Sequence, residues 1–275
     1  MLITKKINNN VAMARDDRGN ELVVFGKGVG FPKTPYLLTD ESAVQGVFSN
    51  VNDGILSLVR SISGEVIDAS LEIMDAARTE LEVELNPNAF LTLADHLQFA
   101  AERVEGGYEI GNPLAGTVKV VYPREFALGE RGLAIVRDTA GIELPASEAT
   151  SIAMHIVNAE DGAAADMDEI MRTLKTIDGV TAIIERSFET EVDRGSYSYA
   201  RFTTHLRLLI RRLLDGDISD ASNPELLSRI AEDFPAFSSC ADEICHYLGE
   251  RYARPTGDEE KLYLMMHINR FISSR

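Results

Sequence analysis

Hydrophobic and polar positions along the chain fall into two regimes. Up to about residue 50 they alternate in the manner of strands. Leu2 and Thr4 alternate with Ile3 and Lys5, Val11-Ala12-Met13-Ala14 is a short apolar run, and Asn20 to Phe25 is β-branched and aromatic. Asp16-Asp17-Arg18-Gly19 reads as a hairpin turn, and Gly26-Lys27-Gly28-Val29-Gly30, followed by Phe31, as a glycine-spaced turn. Beyond this segment the period becomes helical, as in Ser63 to Ala77, with Gly, Pro and Asn as punctuation. The pattern predicts a small antiparallel β-sheet followed by all-α domains. The β segment holds too few apolar side chains to bury a full core alone, so a homodimer is expected.

The helical part is one module written twice. Asp95-His96-Leu97 with Arg103 recurs as Thr204-His205-Leu206 with Arg212. Asn112-Pro113 and Tyr122-Pro123 recur as Asn223-Pro224 and Phe234-Pro235, and Glu148 with Met154-His155-Ile156 recurs as Glu260 with Met266-His267-Ile268. The offset stays near 110 residues throughout, the sign of a duplicated helical domain. Four of the five histidines occupy equivalent positions, two per copy. In each copy an Arg lies seven residues after the first His and a Glu seven before the second, nearly two helical turns, so each pair shares a helix face. His246 stands outside this pattern.

Composition changes the picture in one respect. The chain of 275 residues has a formal net charge of −17, which opposes binding to nucleic acid. Residues 1 to 54, however, hold six Lys/Arg against six Asp/Glu, so the β module is neutral and the helical part carries the deficit. No apolar run is long enough to insert into a membrane and no signal-peptide pattern opens the chain, which points to the cytoplasm. Cys240 and Cys245, beside His246, have no zinc spacing, and a reduced pair is expected.

Two groups of residues carry candidate chemistry. In the β module, Asn8, Asn9 and Asn10 offer donors and acceptors, the glycines permit close backbone approach, lysines can meet phosphates, and Phe31 can stack on a base. The combination suits RNA loops, with a bare turn and hairpin as the plainer explanation. A dinucleotide fold is rejected, because Pro32 and Pro35 follow the glycines where a helix is required. The paired histidines admit three readings: buried structural residues, metal ligands, or phosphoacceptors. Metal binding lacks an HExxH pattern, and Asp95-His96 reverses the His-Asp doublet of helical metal phosphohydrolases. Neutral imidazole is a competent nucleophile near pH 7, and a nearby Arg can hold a phosphoryl dianion.

The segment KKINNNVAMARDDRGNELVVFGKGVGFPK resembles the co-antiterminator RNA-binding domain of the BglG/LicT/SacY family of transcriptional antiterminators. DHLQFAAER with SIAMHIVNAE, and RFTTHLRLLIRRL with DEEKLYLMMHINR, resemble its two phosphotransferase-system regulation domains. The resemblance implies an RNA-binding domain over residues 1–55, a four-stranded antiparallel sheet in that family, and regulation domains over 60–168 and 169–275. It implies RNA contacts at Lys5, Asn10, Gly26, Lys27, Gly28 and Phe31. Position 27 is often Arg in such relatives, and Lys27 keeps the charge without the planar fork. It further implies phosphorylation at His96, His155, His205 and His267. The implied function is a sugar-responsive antiterminator, not an enzyme, that binds an RNA hairpin as a homodimer and blocks an overlapping terminator. The phosphocarrier HPr and a sugar-specific enzyme II would donate the phosphoryl groups, with no cofactor or metal. A helical metal-dependent phosphohydrolase with histidine ligands is the competing class.

Overall fold

The computed structural model describes residues 1–40, 43–48, 53–86, 88–108, 110–160, 167–217 and 224–272. By internal contacts the chain divides into two compact units, the first comprising residues 1–115 and 122–167, the second residues 116–121 and everything from 168 onward.

The first unit opens with a sheet of β1 (Leu2–Lys6), β2 (Val11–Arg15), β3 (Glu21–Gly26), β4 (Tyr36–Leu37) and β5 (Val44–Phe48) in the order β4-β1-β2-β3-β5, all neighbours antiparallel. The resemblance implied four strands; the fifth is the two-residue β4, where the chain after Lys33 returns to pair Tyr36 with Ile3. The expected hairpin turn is there. Asp16 Oδ1 accepts from the Arg18 and Asn20 amides at 2.9 and 2.8 Å, and Gly19 takes φ +87°, a left-handed conformation that costs glycine little.

Strand alternation gives the sheet two apolar faces. Ile3, Ala12, Ala14, Leu22 and Val24 pack beneath Val29, Tyr36 and Leu38. Val11, Val23 and Phe25 face helices of the same unit, joining a core with Val59, Ile62, Val66 and Phe90. Phe25 meets Phe90 edge-on with centroids 4.4 Å apart, and Phe48 with centroids 5.0 Å apart. The apolar surface that the β segment cannot bury alone is thus covered within its own unit.

The helices run in the same order in both copies. α1 (Asp53–Ser61) leads into α2 (Gly64–Leu81), α3 (Ala89–Glu105), α4 (Ala115–Val121), α5 (Pro123–Ala140) and α6 (Glu148–Glu160). α7 (Met167–Ser187), α8 (Tyr197–Asp215), α9 (Pro224–Asp233), α10 (Pro235–Tyr252) and α11 (Asp258–Ile272) repeat the last five. Local chemistry repeats as well. Proline opens both α5 and α10, and the aromatic residue before it takes the same backbone, φ −131° ψ 61° at Tyr122 and φ −132° ψ 62° at Phe234. Asn223, the counterpart of Asn112, lies outside the described residues.

One helix departs from the expected partition. Residues 116–121 of α4 fall inside the span 60–168, yet they belong to the second unit. Val120 and Val121 pack on the second core, and the Thr117 hydroxyl donates to the Asp178 carboxylate, which Arg194 also holds at 2.9 Å.

In the first unit α2, α3, α5 and α6 form a bundle in which α5 and α6 approach closely at Gly129 of α5. A Cβ there would lie 2.1 Å from the Ala149 carbonyl oxygen on α6. Gly129→Ala must therefore push α6 away, and we expect it to cost about 1–3 kcal/mol in urea denaturation. Gly116→Ala, whose Cβ meets nothing within 4 Å, serves as the control and should be neutral or slightly stabilising. Equal effects at the two positions would refute the close-approach argument.

Candidate functional site

The first candidate site is the junction of the three asparagines with the glycine turn. Asn10 Oδ1 accepts the Gly28 amide at 2.6 Å, and the Asn10 amide donates to Asn8 Oδ1 at 2.9 Å. The Gly26 and Gly30 amides donate to the Asn10 and Asn9 carbonyls at 3.0 and 2.8 Å. Two glycines are required by space: a Cβ on Gly30 would sit 1.9 Å from the Asn8 carbonyl oxygen, and one on Gly26 1.8 Å from that of Ala43. Gly28 takes φ +78°. Lys6 Nζ donates to Asn9 Oδ1 at 2.7 Å and lies 6.0 Å from the centre of the Phe31 ring, which is 76% exposed. The Asn10 side chain also donates, through Nδ2, to the carboxylate of Asp68 on α2. Burial raises the Asp68 carboxyl above the usual carboxylate range, the Asn10 bond working against it.

The second site lies between α3 and α6. Glu148 is almost wholly buried and shared by two partners: its Oε2 lies 2.8 Å from His96 Nε2, and its Oε1 accepts from the Arg103 guanidinium. Burial works to raise this carboxyl, but the bonds and charges of His96 and Arg103 outweigh it and hold it below its ordinary value. A carboxylate only accepts, so His96 presents Nε2–H to it, the tautomer being assigned from that bond. His155 stands beside His96 with ring centroids 5.1 Å apart. Its Nδ1 is buried without a hydrogen-bond partner, and burial, helped by His96, pushes its pKa down to about 3. The Arg103 guanidinium also lies 4.9 Å from the Phe99 ring.

The same quartet is rebuilt in the second unit between α8 and α11. Arg212 holds Glu260 Oε1 at 2.6 Å, and His205 Nε2 is 3.6 Å from Glu260 Oε2, too far for a hydrogen bond. His205 instead stacks on Tyr263, centroids 3.4 Å apart and planes inclined by 21°. His267 lies parallel to His205 at 5.6 Å, and burial, then the charges of His205, Arg201 and Arg270, lower its pKa to about 4.

The structure thus brings His96, Arg103, Glu148 and His155 together, and likewise His205, Arg212, Glu260 and His267. One detail differs from the sequence reading: each glutamate is seven residues from the second histidine of its own helix but turns to the first histidine and the arginine of the neighbouring helix. In the β module Asn10, Gly26, Lys27, Gly28 and Phe31 share one loop cluster. Gly26 is buried, so it serves the turn and not the surface. Lys5 is exposed on β1, opposite Met13, while its neighbour Lys6 makes the contacts to Asn9 and Phe31. Sequence reasoning missed Asp68 and Tyr263. The first lies 58 residues from Asn10 and gives no local signal; the second has Ser151 as its counterpart, so the duplication hides it. His246 is exposed beside Glu250 and belongs to neither quartet.

Among the described residues no group of three or more His, Cys, Asp or Glu is arranged to hold a metal ion, and an arginine occupies the carboxylate in each quartet. Cys240 and Cys245 are free thiols whose pKa burial raises. No helix among the described residues is long and apolar enough to cross a membrane.

Comparison with known proteins accords with this architecture. Residues 1–55 match the CAT RNA binding domain family, and residues 71–159 and 179–271 each match the PRD domain family. The chain is 34% identical to the transcription antiterminator LicT of Bacillus subtilis (strain 168), over 99% of both chains. It is 31% identical to the beta-glucoside operon antiterminator of Dickeya chrysanthemi, over 98% of this chain and 96% of that one. Among solved structures it is similar to the crystal structure of GlcT CAT-PRDI, with a TM-score of 0.50 and 25% identity, over 58% of this chain and 98% of the other. A CAT RNA-binding domain followed by two PRD domains makes the chain a member of the BglG/LicT family of transcription antiterminators.

Proposed function

We propose that this protein is a sugar-responsive transcriptional antiterminator. Residues 1–55 bind a hairpin in nascent mRNA and block an overlapping terminator. Residues 60–168 and 169–275 regulate that binding by accepting phosphoryl groups at His96, His155, His205 and His267. It works in the cytoplasm as a homodimer. The sugar-specific enzyme II phosphorylates the first regulatory domain when substrate is absent and so inactivates the protein. HPr phosphorylates the second when preferred sugars are scarce and so activates it. The observation that carries this reading is the quartet of two histidines and an arginine around a buried glutamate, built twice from equivalent helix pairs behind a CAT domain.

The chemistry of the quartet suits an acceptor. A neutral imidazole can take a phosphoryl group, and the arginine that now holds a carboxylate can hold a phosphate in the same way. The two anions compete. A phosphoryl group on His96 brings nearly two negative charges beside Glu148, and Arg103 cannot satisfy both. The carboxylate is displaced, and with it the register of α6 against α3. Phosphorylation thereby becomes a shift of helices.

The route to the RNA surface runs through α2. Asn10 Nδ2, a donor suited to a base edge, is held by Asp68. RNA must take Asn10 from this carboxylate, whose charge also repels phosphate. In a gel shift of the full chain with the leader hairpin of its sugar operon, Asn10→Ala should lose tenfold or more in affinity. Asp68→Ala should gain several-fold, a bond to a charged group being worth roughly 1.5–3 kcal/mol. Unchanged affinity for Asn10→Ala would sink the RNA assignment, and a loss for Asp68→Ala the competition.

The depressed histidines carry a stability signature. His155 and His267 have pKa values of about 3 and about 4 folded, against an ordinary value of 6.5. The unfolded chain therefore binds more protons as pH falls below 6.5 toward those values, and stability falls with it. The urea midpoint should decline between pH 6.5 and 5, above the range where carboxylates titrate. The decline should shrink in His155→Gln; an identical slope in that variant would show that His155 does not titrate as described.

A further inference from the structure

The two quartets are not equivalent, and the setting of the first histidine differs most directly. In the first, His96 Nε2 is bonded to Glu148 at 2.8 Å. In the second, His205 Nε2 lies 3.6 Å from Glu260 and is buried without a hydrogen-bond partner. The glutamates are otherwise alike, both almost wholly buried and both bound to their arginine. The side chain against the first histidine differs: the residue four positions before the second histidine is Ser151 in the first copy and Tyr263 in the second. Four residues is about one helical turn, so Tyr263 stands over the same face as His267. Its ring lies against His205 at 3.4 Å and against His267 at 4.4 Å.

We propose that Tyr263 is a positioning residue for phosphoryl acceptance in the second regulatory domain: by stacking on His205 it keeps the imidazole off Glu260 and leaves Nε2 as the nucleophile. This rests on the proposed phosphoacceptor role of His205. A lone pair already committed to a carboxylate-bound N–H cannot attack phosphorus. In the tautomer that Glu148 imposes, His96 can attack only through Nδ1, whereas the Nε2 of His205 is uncommitted and needs only access to a donor. The stack also fixes the plane of the ring, so that the attacking lone pair keeps one direction. The duplicated domains therefore differ in how readily their first histidine accepts, and the serine-to-tyrosine difference sets which copy responds to a weak donor.

With phosphoramidate as a small donor the step balances. The His205 Nε2 lone pair forms the N–P bond, the P–N bond of the donor breaks, and ammonia leaves carrying the Nδ1 proton as ammonium. The test uses the full chain, with the rate at His205 followed by peptide mapping and the phosphorylated nitrogen identified by 31P NMR. Tyr263→Phe, which retains a stacking ring, should stay within twofold of wild type. Tyr263→Ser should slow acceptance about tenfold, and adding Glu260→Gln should restore most of the rate, because no carboxylate remains to capture the imidazole. A merely structural role would not give that recovery. Independently of any variant or donor, 15N spectra of histidine-labelled wild type should show His205 with Nδ1–H and a bare Nε2, and His96 with Nε2–H.

A Tyr263→Ser rate within twofold of wild type overturns the proposal, as does a slowed rate without recovery in the double variant, or Nε2–H on His205 in the wild type. Wild-type protein in which His205 accepts nothing, while its Nε2 is bare as described, overturns the phosphoacceptor reading and leaves the stacking geometry standing.

Discussion

The regulatory half depends on one interaction: a buried carboxylate held by an arginine from a neighbouring helix. Glu148 and Glu260 are almost wholly shielded from water, a cost that only a paired and hydrogen-bonded charge can offset. Removing the arginine leaves the carboxylate charge buried alone, so the pair fixes how α3 meets α6 and how α8 meets α11. Because the arginine binds phosphate as readily as carboxylate, the bond that holds the helices together is also one that a phosphoryl group can take over. In the proposed mechanism, structure and switch are the same contact.

The duplication shows what is essential to that contact. Histidine, arginine, glutamate and histidine recur, and so do the aromatic-proline junctions before α5 and α10 with nearly identical backbone angles. What does not recur is the setting of the first histidine, bonded to its carboxylate in one copy and stacked on Tyr263 in the other. On the proposed reading, two acceptors with different readiness would let one chain answer two donors. The N-terminal module is tied to the first regulatory domain through the Asn10 amide, which donates to Asp68 on α2.

Much of this was legible in the sequence, for physical reasons that can be named. Period-two alternation around Asp16-Gly19 disclosed the hairpin, and the spacing of four histidines disclosed the repeat, because local periodicity and internal similarity need no knowledge of tertiary contacts. Tertiary choices were hidden. Glu148 and His155 share a helix face, yet the carboxylate turns to α3, where Arg103 offers a charge that its own helix lacks. The allegiance of α4 to the second unit depends on Thr117 meeting Asp178, 61 residues away. The fifth strand is two residues long, too short to leave a periodic trace. Asp68 looked like any charge on an amphipathic helix until the fold set it beside Asn10.

The central claim is that a phosphoryl group on the first regulatory domain acts by taking Arg103 from Glu148. It is tested most directly by measuring the affinity of the full chain for its hairpin before and after phosphorylation by the cognate enzyme II, in wild type and in Arg103→Lys. Lysine keeps the charge but not the fork that lets two anions compete for one planar group. The account expects phosphorylation to weaken binding tenfold or more in the wild type and less than twofold in the variant. An equal loss in both proteins would contradict it.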